Sequence, residues 1–446
     1  MVPRNGPSPT WIHPGHHGNV VSFVPETPAA AVLAAIGLGC WICNCCSEHA
    51  ESESVTLRNV VTIEKCCVMI RKILLVRMYL TAACFVLAGT IPCELRAQQP
   101  VTTQDVAPVP VAKQPPAPAP AVNPLISKIA FGSCSTQDDP QPILHTVLEW
   151  EPDLFIYLGD NIYGDTRDMQ LLEAKYQKLG RKKEFQALRA AMPVIATWDD
   201  HDFGENDAGK DFPFRSESKE IFLRFWNEPA DSPRRAHEGI YTSYRFTDPG
   251  SGKTLQIILL DTRWFRDPPL RSPFGSWKND YLPDTDPAKT LLGETQWTWL
   301  KERLQEPADL RIIGSSIQFG HEHNGWESWT NFPRELMKMV KLIEETQANG
   351  VVFISGDVHW GELSILKTPT CYPLYDLTAS GLNRDWENVE PNGNRFGDAC
   401  MDFHFGMLEI NWSGNPSVQF RIHDMTGRAR VRKTVRLSEL RFPGKP

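Results

Sequence analysis

Residues 194–207 read VIATWDDHDFGEND, and this stretch decides the fold. A short apolar run of strand formers ends in Thr197, and the eleven residues from Thr197 to Asp207 then hold six ionisable side chains. Carboxylates a few ångströms apart repel one another unless a cation or a shared proton intervenes. The crowding points to a bound cation. The plainer alternative has Asp199 and Asp200 forming salt bridges or capping the next segment.

Working outward, three other strand-like runs end in the same manner. Residues 128–132 (KIAFG) lead into Gly132-Ser133-Cys134, and residues 154–158 (LFIYL) into Gly159-Asp160-Asn161-Ile162-Tyr163. Residues 351–354 (VVFI) lead into Gly356-Asp357-Val358-His359. Open α/β sheets place their sites at the carboxyl ends of parallel strands. Each tip alone has a bland reading: Cys134 is a small buried hydrophobe, Gly159-Asp160 a turn, and Asp357-Val358-His359 a cap. Four such tips together point to one polar site.

The remaining chain reads as a mixed α/β domain with antiparallel strands added. Residues 142–150 suit a crossover helix between the first two runs, as parallel neighbours require. Residues 169–191 are helical in composition and stop before Pro193. Residues 241–247 and 254–260 form a hairpin around Asp248-Pro249-Gly250-Ser251-Gly252. Helical stretches at 294–304 and 334–348 precede the apolar runs 311–317 and 351–354, and 404–424 reads as a last hairpin turning at 411–415. No internal repeat is present.

Composition narrows the functional class. A formal charge of −8 over 446 residues, with no basic run, argues against a surface that binds nucleic acid through its phosphates. A hydrophobic fraction of 41% suffices for a sizeable core. Eight of the eleven cysteines lie at or before Cys93, leaving Cys134, Cys371 and Cys400 for the rest. Residues 69–97 combine a basic start (Arg71, Lys72, Arg77), an apolar core and the exit Leu95-Arg96-Ala97, the pattern of a secretory signal peptide. Export, periplasmic or extracellular, is expected after cleavage near Ala97, with translation starting at Met69 or Met78 and residues 1–68 as an extension. The rival reading makes residues 29–46 a membrane anchor with Cys40, Cys43, Cys45 and Cys46 as a metal or palmitoylation site. Residues 98–123 are Pro/Ala-rich and read as a tether without a core. The folded domain is expected over 124–446, with no stable membrane span in the mature chain.

The assembled motifs resemble the PhoD-like alkaline phosphatase and phosphodiesterase family of the calcineurin-like metallophosphoesterase superfamily. The residues that carry the resemblance are Gly132-Ser133-Cys134, Gly159-Asp160 with Tyr163, Trp198-Asp199-Asp200-His201-Asp202 with Asn206, Leu260-Asp261-Thr262-Arg263, Glu327-Ser328-Trp329 and Ser355-Gly356-Asp357-Val358-His359-Trp360. The resemblance implies a four-layer αββα sandwich, two mixed sheets flanked by helices, with a metal cluster at the strand tips. It implies Cys134, Asp160, Tyr163, Asp199, Asp200, Asn206, Asp357 and His359 as metal ligands, with Asp160 bridging. It implies His201 as the substrate-facing acid, working with Asp200 and Asn206, while Asp202 orients the histidine. Departures are Cys134 in place of an opening Asp-x-His, Asp200 where the superfamily has asparagine, and Asp357 in place of a histidine.

Thiolate and phenolate beside carboxylate favour iron, while the excess of carboxylates and Asn206 favours calcium. Fe3+ with Ca2+ is therefore expected, with Mn2+ or Zn2+ as alternatives. The implied reaction is hydrolysis of a phosphomonoester or phosphodiester by metal-activated water. Its substrate would be a small molecule or a cell-envelope or lipid phosphodiester. Arg263 and Arg266 are candidates to clamp phosphate, or else to pair with acids near the sheet. His321-Glu322-His323 is ligand-like in isolation, Asp165 would extend a calcium shell or cap a helix, and Trp326 and Trp329 would wall a pocket or pack. Cys371 and Cys400 could form a disulfide. Family members with an N-terminal β-rich domain contrast with the tether here, so a more open pocket is expected. Competing classes are a non-catalytic exported binding protein on the same fold and a metal-dependent hydrolase of a different ester.

Overall fold

Three of the strand-like runs pair in sequence order: β1 (Lys128–Gly132), β2 (Leu154–Leu158) and β3 (Val194–Thr197) are parallel neighbours. The computed structural model describes residues 125–274 and 280–444. The expected extension, signal peptide, tether and cysteine cluster before residue 124 lie outside the described residues.

Helix α1 (Ile143–Glu149) is the expected crossover from β1 to β2. Between β2 and β3 the expected single helix is two, α2 (Met169–Gly180) and α3 (Lys183–Ala191). The break has a local cause. Gly180 is a poor helix former, and Lys182 takes extended backbone at φ −67° and ψ 133°. Asp168 caps α2 by accepting from the Gln170 and Leu171 N–H groups. Met192-Pro193 ends α3, since proline disfavours helix in the residue before it. After β3 come the short helix α4 (Asp200–Phe203), α5 (Arg215–Phe225) and the single turn α6 (Pro233–Ala236).

The first sheet has the order β14-β13-β12-β1-β2-β3, its far side an antiparallel meander of β12 (His404–Asn411), β13 (Ser417–Asp424) and β14 (Ala429–Arg436). The second has the order β10-β11-β9-β8-β5-β4. Its parallel centre is β5 (Thr254–Leu259), β8 (Leu310–Gly314), β9 (Val351–Ser355) and β11 (Leu374–Ala379), with β4 (Thr242–Thr247) and β10 (Gly361–Leu366) as antiparallel edges. Strands β6 (Leu270–Arg271) and β7 (Tyr281–Leu282) make a separate small pair.

Side-chain alternation along the strands sorts the two faces. Ile129, Phe131, Ile156 and Leu158 face the second sheet, while Ala130, Phe155 and Tyr157 face a helical layer of α1, α2, α3 and α5. Between the sheets, Leu158 and Leu259 close over Gly314, and Tyr375 stacks on Phe420 with centroids 5.3 Å apart. Helices α7 (Gly293–Gln305) and α8 (Pro333–Thr346) cover the second sheet through Trp297, Leu300, Leu304, Met339, Val340 and Ile343. Each such buried side chain contributes about 1.5–3 kcal/mol. The result is the expected αββα sandwich. Among the described residues no helix is long and apolar enough to cross a membrane.

Candidate metal centre

Both sheets deliver the carboxyl ends of their parallel strands to one place. Ser133-Cys134 leaves β1, Gly159-Asp160 leaves β2, and Asp199, the residue before α4, lies two residues after β3. From the other sheet come Thr262-Arg263 after β5, Ser316 after β8, Gly356-Asp357 after β9 and Ser380 after β11. Ser316 Oγ donates to Asp199 Oδ1 at 2.6 Å, and Ser133 N donates to Ala379 O at 3.1 Å, so the two sets of tips are stitched together.

The turns that do this are conformationally unusual. Cys134, Asp160, Asp165, Asp207, Asp357 and His359 all have φ between 44° and 78°. This left-handed region costs a residue with a side chain on the order of 1–3 kcal/mol and collects at functional sites. Gly159, at φ 100°, has no substitute, because a Cβ there would meet the Asp199 Cβ at 2.5 Å and its N at 2.6 Å.

The donor atoms form adjoining groups, within each of which they lie no more than 4.8 Å apart: Cys134, Asp160 and His359; Asp160, Asp200 and His201; Asp199, Asp200 and Asp357; Asp200, Asp207 and Glu327. Asp160 and Asp200 each belong to more than one. Cys134 Sγ lies 3.4 Å from Asp160 Oδ2 and 3.4 Å from Ser380 Oγ. Tyr163 joins through its hydroxyl, 2.9 Å from His359 Nε2. Asn206 is exposed and lines the adjacent cleft with Asp200, His201, Asp207, Glu327 and His359. The cleft has a volume of about 140 Å³ and is walled by Trp326 and Trp386.

Electrostatically the centre holds more acids than its buried Arg263 and Arg266 and its histidines offset. Asp160 Oδ1, Asp199 Oδ2 and Asp200 Oδ1 are buried without a hydrogen-bond partner. Burial, then the Cys134 sulfur and the neighbouring aspartates, pushes the Asp160 carboxyl well above its ordinary range. Burial likewise lifts the Cys134 thiol to about 11. For Asp200 burial is outweighed by His201, Arg263 and the Asp207 N–H, which hold it below the usual range. Orphaned buried carboxylate oxygens beside a thiol, a phenol and imidazoles are what a cation would satisfy. The donor set therefore fits metal.

His201 is held by Asp165, whose Oδ1 lies 2.7 Å from His201 Nδ1. Burial lowers its pKa, but Asp200 and Asp165 together raise it to about 9. Asp165 thus orients the histidine, and the neighbouring helix is capped by Asp168 instead. Asp202 serves the backbone. Its Oδ1 accepts from Asp199 N at 2.6 Å and Asp160 N at 3.2 Å, and its Oδ2 from Tyr176 OH at 3.0 Å. It clamps two strand tips together and does not orient His201.

Contacts separate the alternatives left open for several other residues. Arg263 and Arg266 are fully buried; Arg263 pairs with Asp199 and Glu327, and Arg266 with Glu327 and the carbonyls of Asp207 and Ala208. Neither lines the cleft. Trp329 is core and donates to Ser315 Oγ at 3.0 Å, leaving Trp326 as the wall. His321 accepts the His323 N–H at its Nδ1, so its Nε2 carries the proton and faces Glu362 at 3.7 Å. Cys371 and Cys400 are both free thiols. Sequence reasoning missed Asp207 and Glu327 as donors, and Ser380, Arg384 and Trp386 beside them. Asp207 and Glu327 stood inside noted motifs, whereas the loop after β11 follows a strand whose buried Asp376 hides its apolar pattern.

Comparison with known proteins agrees with this fold. The family model for PhoD-like phosphatase matches residues 129–387. Alkaline phosphatase D of Bacillus subtilis (strain 168) is 26% identical over 297 residues, 56% of this chain and 48% of that protein. The chain thus spans about half the length of this curated relative. A solved structure of PhoD superposes with a TM-score of 0.54 at 20% identity, covering 72% of this chain and 74% of the other. With more than half of its length matched by the family model, the chain belongs to the PhoD-like phosphatase family.

Proposed function

We propose that this chain is an exported, metal-dependent phosphoesterase acting on phosphomonoesters or phosphodiesters. The observation that carries the reading is the pair of shared carboxylates, Asp160 and Asp200, with unpartnered buried oxygens in adjoining donor groups beside His201. Cys134, Asp160, Tyr163 and His359 would hold iron. Asp200, Asp357 and Asn206, joined by Asp199, Asp207 and Glu327, offer the oxygen-rich shell that suits calcium. Manganese or zinc is the alternative occupant.

When bound, the ions supply the positive charge that screens phosphoryl oxygens and acidifies water. The chain's own residues do the rest. His201, kept protonated by Asp200 and Asp165, faces the cleft and would give its proton to the leaving oxygen. Asp202 fixes the spacing of Asp160 and Asp199 by accepting both their N–H groups. Arg263 and Glu327 brace Asp199 and the cleft floor. Trp326 and Trp386 wall the cleft.

Phosphate release from a monoester and a diester, with and without iron and calcium, tests the reading. Absence of release under every metal condition would sink it and favour a binding protein on the same fold. Metal analysis of Cys134→Ala tests the ligand assignment, since unchanged iron content removes that thiol from it. Export rests on residues 69–97, and a mature N-terminus before Ala97 would defeat it.

A further inference from the structure

The centre is acidic and its buried arginines are committed, so an anionic substrate needs a cation elsewhere. Most cations near the cleft are occupied too. Arg167 pairs with Glu205 at 2.9 Å, Lys210 with Asp267 at 2.5 Å, and Arg271 reaches Asp207 at 3.6 Å. Arg384 differs. Among the described residues no carboxylate pairs with it; the residue is exposed, and its guanidinium carbon lies 5.0 Å from the centroid of the Tyr163 ring. Tyr163 in turn meets His359 Nε2 at 2.9 Å and lies 4.3 Å, ring to ring, from His201.

The root of this side chain is rigid. Leu382 N donates to Ser133 O at 3.2 Å and Asn383 N to Cys134 O at 3.3 Å. The Asn383 side chain accepts from Thr136 N at 2.7 Å and donates to Thr136 O at 3.0 Å. Arg384 therefore springs from backbone fastened to the strand tip that carries the candidate thiol ligand. A tyrosine face steadies a guanidinium without neutralising it. The planar fork remains available for two parallel hydrogen bonds to phosphoryl oxygens.

We propose that Arg384 binds a phosphoryl oxygen of the substrate at the mouth of the cleft, the part for which Arg263 and Arg266 are the candidates in the sequence. This rests on the phosphoesterase reading above. It assigns a substrate-binding role to the loop after β11.

The test uses the full metal-loaded chain, with inorganic phosphate as the titrant and p-nitrophenyl phosphate and bis(p-nitrophenyl) phosphate as substrates. Arg384→Ala is expected to weaken phosphate binding and raise KM by roughly 10–100-fold, the loss of a charge-assisted bidentate contact. The change in kcat should be smaller, and iron and calcium content and Tm should hold. Arg384→Lys should recover part of the binding. Unchanged phosphate affinity and KM in Arg384→Ala, beside an active wild type, overturn the arginine assignment alone. A drop in Tm or metal content without a change in affinity assigns Arg384 to bracing Tyr163 and overturns it as well. A wild type that neither binds phosphate nor hydrolyses either ester overturns both readings.

Discussion

Two regions of this molecule bury a histidine among acids, and they differ in how much of their bonding capacity is used up. At the strand tips, Asp160, Asp199 and Asp200 keep buried oxygens without partners beside His201. Around His321, Glu362 is equally buried, but its Oε1 accepts from Gln318 at 2.8 Å and Asn392 at 3.2 Å, and its Oε2 takes the Arg395 guanidinium. The Glu362 carboxylate is closed by its own neighbours, although His321 Nε2 beside it has no partner, and the carboxylates of the other cluster call for a cation. The distinction lies in unspent valence, since residue type alone makes His321-Glu322-His323 the more ligand-like sequence.

The sharpest way to break this contrast is Asp160→Asn. The carboxylate belongs to two donor groups, so its loss should remove metal and reduce turnover to background, well past the roughly 10–100-fold that changes outside the ligand shell cost. Metal content by elemental analysis and phosphate release check it. Retained metal with full activity would place the centre elsewhere.

His201→Asn is expected to lower kcat by about 10²–10⁴, the usual contribution of a general acid, with metal content unchanged. Loss of metal instead would make His201 a ligand first. Asp165→Asn is milder. Asp165 helps raise His201 to about 9, so the acid form and the rate it supports persist below that pH and decline as pH climbs through it. Removing Asp165 should shift this alkaline limb to lower pH, each unit being tenfold in the protonated fraction above the limb. An unmoved pH–rate profile would mean that another group sets the limb.

The sequence carried the outline of this contrast unevenly. Parallel strands β1, β2, β3 and β9 were legible because buried parallel strands are short apolar runs, and their tips stood out by charge. Strands β10 and β11 were not, because Glu362 and Asp376 interrupt them. Asp376 is buried to cap the Phe319 and Gly320 N–H groups at 2.9 and 2.7 Å, a purpose visible only in three dimensions. Strand β14 was hidden by its basic residues, since Arg430, Arg432 and Arg436 face outward and Lys433 stands between buried Val431 and Val435, as suits a charged sheet edge. At the centre, local spacing placed Cys134, Asp160, Asp200, Asp357 and His359 at the tips. It could not show that Glu327, far along the chain, pins Arg263 and Arg266 and so withdraws both from the substrate.

The smallest effect on activity is expected where the acid is as buried as any in the centre. Glu362→Gln keeps shape and removes charge, leaving Arg395 without its carboxylate and His321 Nε2, 3.7 Å away, without a charged neighbour. Breaking a buried pair in this way costs roughly 3–5 kcal/mol when the remaining charge has no water, and less here because the Arg395 side chain is 18% exposed. Tm should fall while metal content and kcat per folded molecule stay at wild-type values, because no donor group of the centre includes Glu362 or His321. Measured side by side with Asp160→Asn, the two substitutions separate a carboxylate whose charge the fold neutralises from one that the fold leaves for an ion. Loss of metal in Glu362→Gln would erase that separation and make the His321 pocket part of the site.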